Sequence, residues 1–307
     1  MDYTLAGVVA QVCFSLRRGP QCSSHPGKRE ADMPRQAPNA LDTASKQVIG
    51  HTCEEWKGFV RLYFRPRTPT QYQIEGFRPV GQFGSLGAYM PMPVFFLFDA
   101  KDILTRKTAR FSEGNLASGS SVGEDAAYFE SIPFQKVYHD NYLSEEEKPN
   151  IKFHRHAEVI VPDELGLEGL EYVWCRSEAE YQTLLALLPA GIRRRYFQRI
   201  RQGRRPSLHF CRWTYLESAS LEQNQIVFRF NRSSVTPGPF HALVQVKNQR
   251  TGAAYKWERQ DFEASHDFKL GIPQIAKPSA YEITLHLDNN IAFASSFAPK
   301  SELLTAR

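Results

Sequence analysis

FVRLYFRPRTPTQY, Phe59 to Tyr72, is the stretch that decides the reading of this chain. Val60, Leu62 and Phe64 alternate with Arg61, Tyr63 and Arg65, the two-residue period of a strand. Pro66-Arg67-Thr68-Pro69 then ends it, because proline lacks a ladder N–H and cannot enter a central strand or a helix interior. A strand therefore runs into a stiff turn that carries Arg67, with Tyr72 just beyond. Arginine forks match phosphate geometry, and aromatic rings stack on bases of any sequence. The composition fits two readings equally: a nucleic-acid contact, or a proline-stiffened surface turn.

Working outward, PVFFLFDA (Pro93–Ala100) is a continuous apolar run ending in an acid, the pattern of a buried strand. KDILTRK reads as a helical turn and TARFSEGN as a short strand entering a turn. Residues 112–150 have no sustained period, with a Ser/Gly part and an acidic part, and read as a functional loop or lid. HAEVIVP (His156–Pro162) alternates again, with Ala157, Val159 and Val161 inward and Glu158 on the other face. Most strand glutamates are solvated. This one follows the basic, aromatic KFHRH and a long loop, where sites concentrate, so a catalytic carboxylate stands beside the solvent-facing reading. LEYVWCR is another strand. SEAEYQTLLALLP (Ser177–Pro189) is a helix with Ser177 and Glu180 at capping-box spacing. Residues 73–93 read as loop, Leu5–Phe14 and Cys53–Gly58 as helices, and 17–47 as flexible.

The segment Gly191–Arg205 holds seven arginines and no acid. It is either a solvated linker or a phosphate-tracking arm with Tyr196 and Phe197 interleaved. Beyond it QIVFRF, FHALVQVKN, AYEITLHLDN and IAFASSF are short alternating strands joined by turn residues, an antiparallel β-sandwich of immunoglobulin-like size. The expected plan is an α+β domain over residues 1–190, a basic linker over 191–206 and a β-sandwich over 207–307.

Charge and cysteine usage narrow the classes. The net charge is +5 over 307 residues, so a nucleic-acid role must rest on local clusters. Five cysteines, an odd count without a CxxC pair, argue against a disulfide or zinc framework and for reduced cytoplasmic thiols. The histidines are scattered, so no metal is expected. No apolar run reaches the length of a membrane span. Motifs for dinucleotide-fold, P-loop and zincin chemistry are absent from the sequence.

Four of these pieces, in this order, resemble DarT-type ADP-ribosyltransferases. FVRLYFRPRTPTQY is similar to the family's strand and aromatic-x-Pro-Arg-Ser/Thr-Pro turn, and PVFFLFD to the strand after it. ARFSEGN resembles the turn opening the family's substrate loop. YHDNY with KFHRHAEVIVP resembles that loop's end and the strand bearing the catalytic glutamate. The family's opening His-x-Thr strand has no counterpart in MDYTLAGVVAQV.

The resemblance implies an ADP-ribosyltransferase-like two-sheet domain that takes NAD as substrate and modifies a base in nucleic acid, thymine in single-stranded DNA above all. It implies Glu158 as the catalytic residue and Lys46 as a donor-site contact. Arg67, Thr68, Tyr72, Tyr138, Tyr142, Lys152 and His154 would meet nucleic acid. It further implies a toxin role in phage defence, countered by a macrodomain antitoxin, while the sandwich would bind a partner the sequence does not name. An RNA-base transferase, an inactive nucleic-acid-binding relative and a plain interaction protein are the competing expectations.

Overall fold

The computed structural model describes the backbone of residues 8–13 and all atoms of residues 59–82, 90–162, 165–265, 267–272 and 280–299. The expected helix at Cys53–Gly58, the stretch 17–47 and Lys46 lie outside the described residues.

Eight strands form the first sheet: β1 (Val8–Cys13), β2 (Phe59–Tyr63), β3 (Pro93–Phe98), β4 (Arg110–Ser112), β5 (Val122–Gly123), β6 (Glu158–Pro162), β7 (Leu170–Cys175) and β8 (Ile200–Gln202). Their order is β5-β4-β6-β2-β1-β3-β7-β8. Neighbours are antiparallel except β7 and β8. β1 pairs with β3 along its whole length, from Val8 opposite Phe98 to Cys13 opposite Pro93. With β2 it shares a single paired position, Val9 opposite Tyr63. The sheet is thus two four-stranded halves that part between β1 and β2.

Residues 8–13 correct one expectation. Leu5–Phe14 reads as a helix by its short apolar run, yet VVAQVC is a strand. Short apolar runs do not separate the two by period, and three β-branched valines suit a pleated surface.

The proline turn does more than end β2. Thr68 accepts a hydrogen bond from Gln71 N at 3.2 Å and caps α1 (Pro69–Ile74). Pro69 sits in the first helical turn, where its missing N–H costs nothing. Asp99 caps α2 (Ala100–Leu104) in the same way. The segment expected to be a loop contains α3 (Ala126–Ser131), α4 (Phe134–Val137) and α5 (Lys148–His154). His154 therefore ends a helix. Ser177 caps α6 (Glu178–Leu187) as its pattern predicts, and α7 (Ala190–Tyr196) leads into β8.

Alternation explains the first core. Leu62 and Phe64 point inward from β2 and its end, and Val159 and Val161 from β6. Phe64 meets Phe134 edge-on at 5.4 Å, and Phe111 meets Phe129 at 5.0 Å. Phe129 and Phe134, partly buried against these rings, pin the α3–α4 segment to the sheet.

The C-terminal part is all β. Its strands are β9 (Leu216–Leu221), β10 (Gln225–Phe230), β11 (Phe240–Asn248), β12 (Ala254–Phe262), β13 (Phe268–Gly271), β14 (Tyr281–Leu287) and β15 (Asn290–Phe297). They form sheets β13-β10-β9 and β12-β11-β14-β15, an immunoglobulin-like sandwich. Its core, around Phe228, Phe240, Leu285 and Phe293, also takes in Phe77, Met92 and Ala179. Ser177 Oγ donates to Leu216 O at 2.6 Å, and Thr183 Oγ1 accepts from Ala294 N at 3.1 Å. The chain is α+β throughout its first part and the sandwich grips α6. Among the described residues no helix is long and apolar enough to cross a membrane.

Candidate functional site

Glu158 opens β6 and faces Tyr63 across the β2–β6 ladder. Tyr63 is the residue that meets Val9 on its other side. Glu158 thus stands one strand from the place where the sheet parts. Its side chain is 1% exposed, on a strand paired on both sides, with β2 and β4. The solvent-facing reading of this glutamate is overturned.

A buried carboxylate needs partners. Arg61 supplies them: its Nε and Nη2 donate to the two carboxylate oxygens, the latter at 2.6 Å. Arg61 opposes Ile160, two residue pairs along the ladder, so the contact is a cross-strand diagonal on one face of the sheet. Glu158 N donates to Ser112 Oγ at 3.1 Å, and that hydroxyl donates to Gly114 O. Burial raises the Glu158 pKa above the ordinary carboxylate value, and Arg61 pulls against it. Burial, with Glu158 adding to it, also pushes the Tyr63 phenol up, so it stays protonated at neutral pH.

The turn is held by segments far apart in the sequence. Arg67 sits at φ 59°, a left-handed conformation rare for a non-glycine residue. Its N–H donates to Gln71 Oε1 at 2.7 Å, which holds that conformation. Arg65 turns inward and donates to Val137 O, His139 O and Asp140 Oδ1, tying the α4 end to the turn. His156 Nδ1 donates to Lys152 O at 2.8 Å, leaving Nε2 to accept from Thr70 Oγ1 at 2.9 Å. Burial holds His156 neutral, with its pKa lowered to about 4.

Beneath the turn, Glu75 ends α1. It accepts from Gln71 Nε2, Phe210 N and Cys211 N at 2.7, 3.1 and 2.9 Å. It also pairs with Arg176, whose side chain is 0% exposed and which pairs with Glu180 as well. Burial pushes the Glu180 carboxyl up, with Arg176 opposing.

The sequence-derived contacts separate into two groups. Arg67, Tyr72, Tyr142 and Lys152 reach the surface, Tyr142 with 92% of its area open. Thr68 and His154 are buried, Thr68 as the α1 cap and His154 donating through Nδ1 to Glu113 O. Tyr138 is half-buried and donates to Phe64 O at 3.0 Å. These three shape the site from within. Neither of two sizeable surface cavities, about 580 Å³ beside Arg110 and Tyr128 and about 370 Å³ beside Asp99 and Arg199, includes Glu158.

Sequence reasoning missed the Arg61–Glu158 pair, the Arg65 staple and the arrival of Phe210, Arg212 and Trp213 at the turn. Strand alternation already places Arg61 and Glu158 on side faces of their strands; only the pairing register was lacking.

A family model described as "ssDNA thymidine ADP-ribosyltransferase, DarT" matches residues 28–202, more than half of the chain. The chain belongs to the DarT family. Solved DarT structures match at low identity. The DarT of Thermus sp. 2.9 in complex with NAD+ is 12% identical, covering 68% of this chain and all of that one, with a TM-score of 0.41. In complex with ADP-ribosylated ssDNA it is 14% identical over 58% of this chain and 84% of that one, TM-score 0.43. Thermosipho africanus DarTG in complex with ADP-ribose is 16% identical over 54% and 39%, TM-score 0.33. The comparison with curated proteins gave no match.

Proposed function

We propose that this chain is an NAD-dependent ADP-ribosyltransferase that modifies thymine in single-stranded DNA. One observation carries the reading: the buried carboxylate of Glu158, raised in pKa and braced by Arg61, beside the parting of the two sheet halves. The family description names this substrate.

The chemistry asks for such a group. The glycosidic bond to nicotinamide breaks with positive charge developing on the ribose, and a fixed carboxylate stabilises that charge. A new bond then forms from the ribose carbon to a base nitrogen, whose proton passes to Glu158 as general base. A glutamate above its ordinary pKa is a better proton acceptor than a solvated one. Arg61 keeps it ionised and oriented until then. Arg67 and Tyr72 contact the strand at the outside of the turn and the helix it opens, with Tyr142 on the loop and Lys152 on α5. Thr68, Tyr138 and His154 hold the surfaces that present them. Lys46 is the donor-site cation of this reading. A cytoplasmic toxin, countered by a macrodomain antitoxin, is the biological setting the family resemblance implies.

The test is transfer of label from NAD tagged on its adenine to single-stranded DNA and RNA oligonucleotides, with Glu158→Gln alongside. Label on thymine-containing DNA, absent from RNA and lost in the variant, is expected. Label on RNA alone would replace the DNA reading. No label on either, with oligonucleotide binding intact, would make the chain an inactive binding relative.

A further inference from the structure

The residues just past the family match fold back onto the family turn. Phe210 lies under both turn side chains: the Arg67 guanidinium is 4.7 Å from its ring centre, and Tyr72 meets it edge-on at 5.1 Å. Arg212 stacks on Tyr72 at 5.0 Å and on Trp213 at 5.2 Å. Trp213 Nε1 donates to Tyr72 O at 3.1 Å, fixing the ring against α1. The pattern continues upstream. Arg205 stacks on Trp174 at 4.0 Å, and Arg201 on Tyr172 at 5.5 Å. Leu208 and His209 join the two ends, packing on Trp174 and Phe95.

Residues 201–213 are therefore a strap of alternating guanidinium and ring contacts, running from β7 to the proline turn. No acid occurs between Gly191 and Trp213. Arg205 and Arg212 are exposed. A guanidinium that lies over a ring still has N–H donors to offer a phosphate. Tyr72 and Tyr172 keep 36% and 39% of their surface open, which suits stacking on unpaired bases. Solvated surface arginines do not ordinarily settle one after another on aromatic rings; a track for a flexible anion with planar bases requires that they do.

We propose that this strap is a second arm of the acceptor site, carrying single-stranded DNA away from the Arg67–Tyr72 turn toward Trp174 and Tyr172. The proposal rests on the acceptor reading above. Arg212 and Arg205 hold phosphates, Trp174 and Tyr172 take bases, and Phe210 sets the height of Arg67 and Tyr72. The strap thereby sets how much single strand must flank the modified base.

The experiment is binding of fluorescent oligothymidines of increasing length to the full chain without NAD, across a salt series. Wild type is compared with an Arg205→Ala/Arg212→Ala double variant and with Arg67→Asn, since asparagine tolerates the left-handed conformation at that position. Two lost phosphate contacts reduce the salt slope by about 1.4, at about 0.7 per phosphate for a single strand. The double variant should also lose the affinity that wild type gains with length. Wild-type slope and length dependence in the double variant, with Arg67→Asn weakened, would overturn the strap and leave the acceptor turn standing. A binding loss matched by a lower urea midpoint would assign the arginines to structure and overturn it too. No binding by wild type would overturn both.

Discussion

Replacing Arg61 with Gln removes the cation that braces Glu158 and keeps much of its bulk. Two charges about 4 Å apart attract by about 4 kcal/mol at an effective dielectric of 20. Arg61 keeps 27% of its side-chain surface in solvent, and screening there brings the figure to about 2 kcal/mol. With that cation gone, the Glu158 pKa moves further above its already raised value. The sign follows from linkage. A carboxyl whose folded pKa lies above its unfolded value favours the fold most at low pH and loses that advantage as pH rises toward the folded pKa. The variant should therefore match wild type below pH 4.5, the ordinary glutamate value, and fall behind by about 2 kcal/mol at neutral pH. Urea unfolding at pH 4 and pH 7.5, repeated in a Glu158→Gln background, measures this without reference to catalysis. A deficit equal at both pH values, or undiminished once Glu158 is neutral, would refute the pairing.

Arg176→Met leaves Glu75 and Glu180 buried without their shared cation and should cost about 3–5 kcal/mol of stability by urea unfolding; a loss under about 1 kcal/mol would mean the two carboxylates find other relief. His156 is held neutral to about pH 4, so stability should fall as pH drops through 6.5, by up to about 3 kcal/mol near pH 4. His156→Gln should flatten that part of the profile, and an unchanged slope would show the imidazole is not its source. Thr68→Ala removes the α1 cap and should cost about 1 kcal/mol, with Thr68→Ser nearly neutral; equal losses in both would point to packing of the methyl group.

Much of the first part was legible because its strands alternate cleanly. β2 and β6 follow from two-residue alternation, β3 from an unbroken apolar run, and the Ser177 cap from capping chemistry. The capacity of Glu158 for chemistry was harder to read. Its burial depends on tertiary packing around β6, and Arg61 is 97 residues away in sequence. No local pattern reports such a pairing. VVAQVC misled because six residues fit a helix face as well as a strand until β3 claims them. The long segment after β4 hid three helices, each under two full turns and with no stripe long enough to show. The far end of the strap, past the arginine-rich segment, was invisible for another reason. LHFCRW has ordinary composition, and only its return to Tyr72 gives the arginine and the tryptophan a common object.

That return has a consequence in time. Tyr72 and Trp213 are 141 residues apart, and a ribosome adding about 5–20 residues per second takes roughly 7–28 s to travel between them. Throughout that interval Glu75 lacks the Phe210 and Cys211 amides that later hold it, and the proline turn stands without its clasp. The segment read first in the sequence is thus among the last to reach its working shape. A nascent chain stalled before residue 208 would carry every residue proposed for the chemistry and still present no finished face to a nucleic acid.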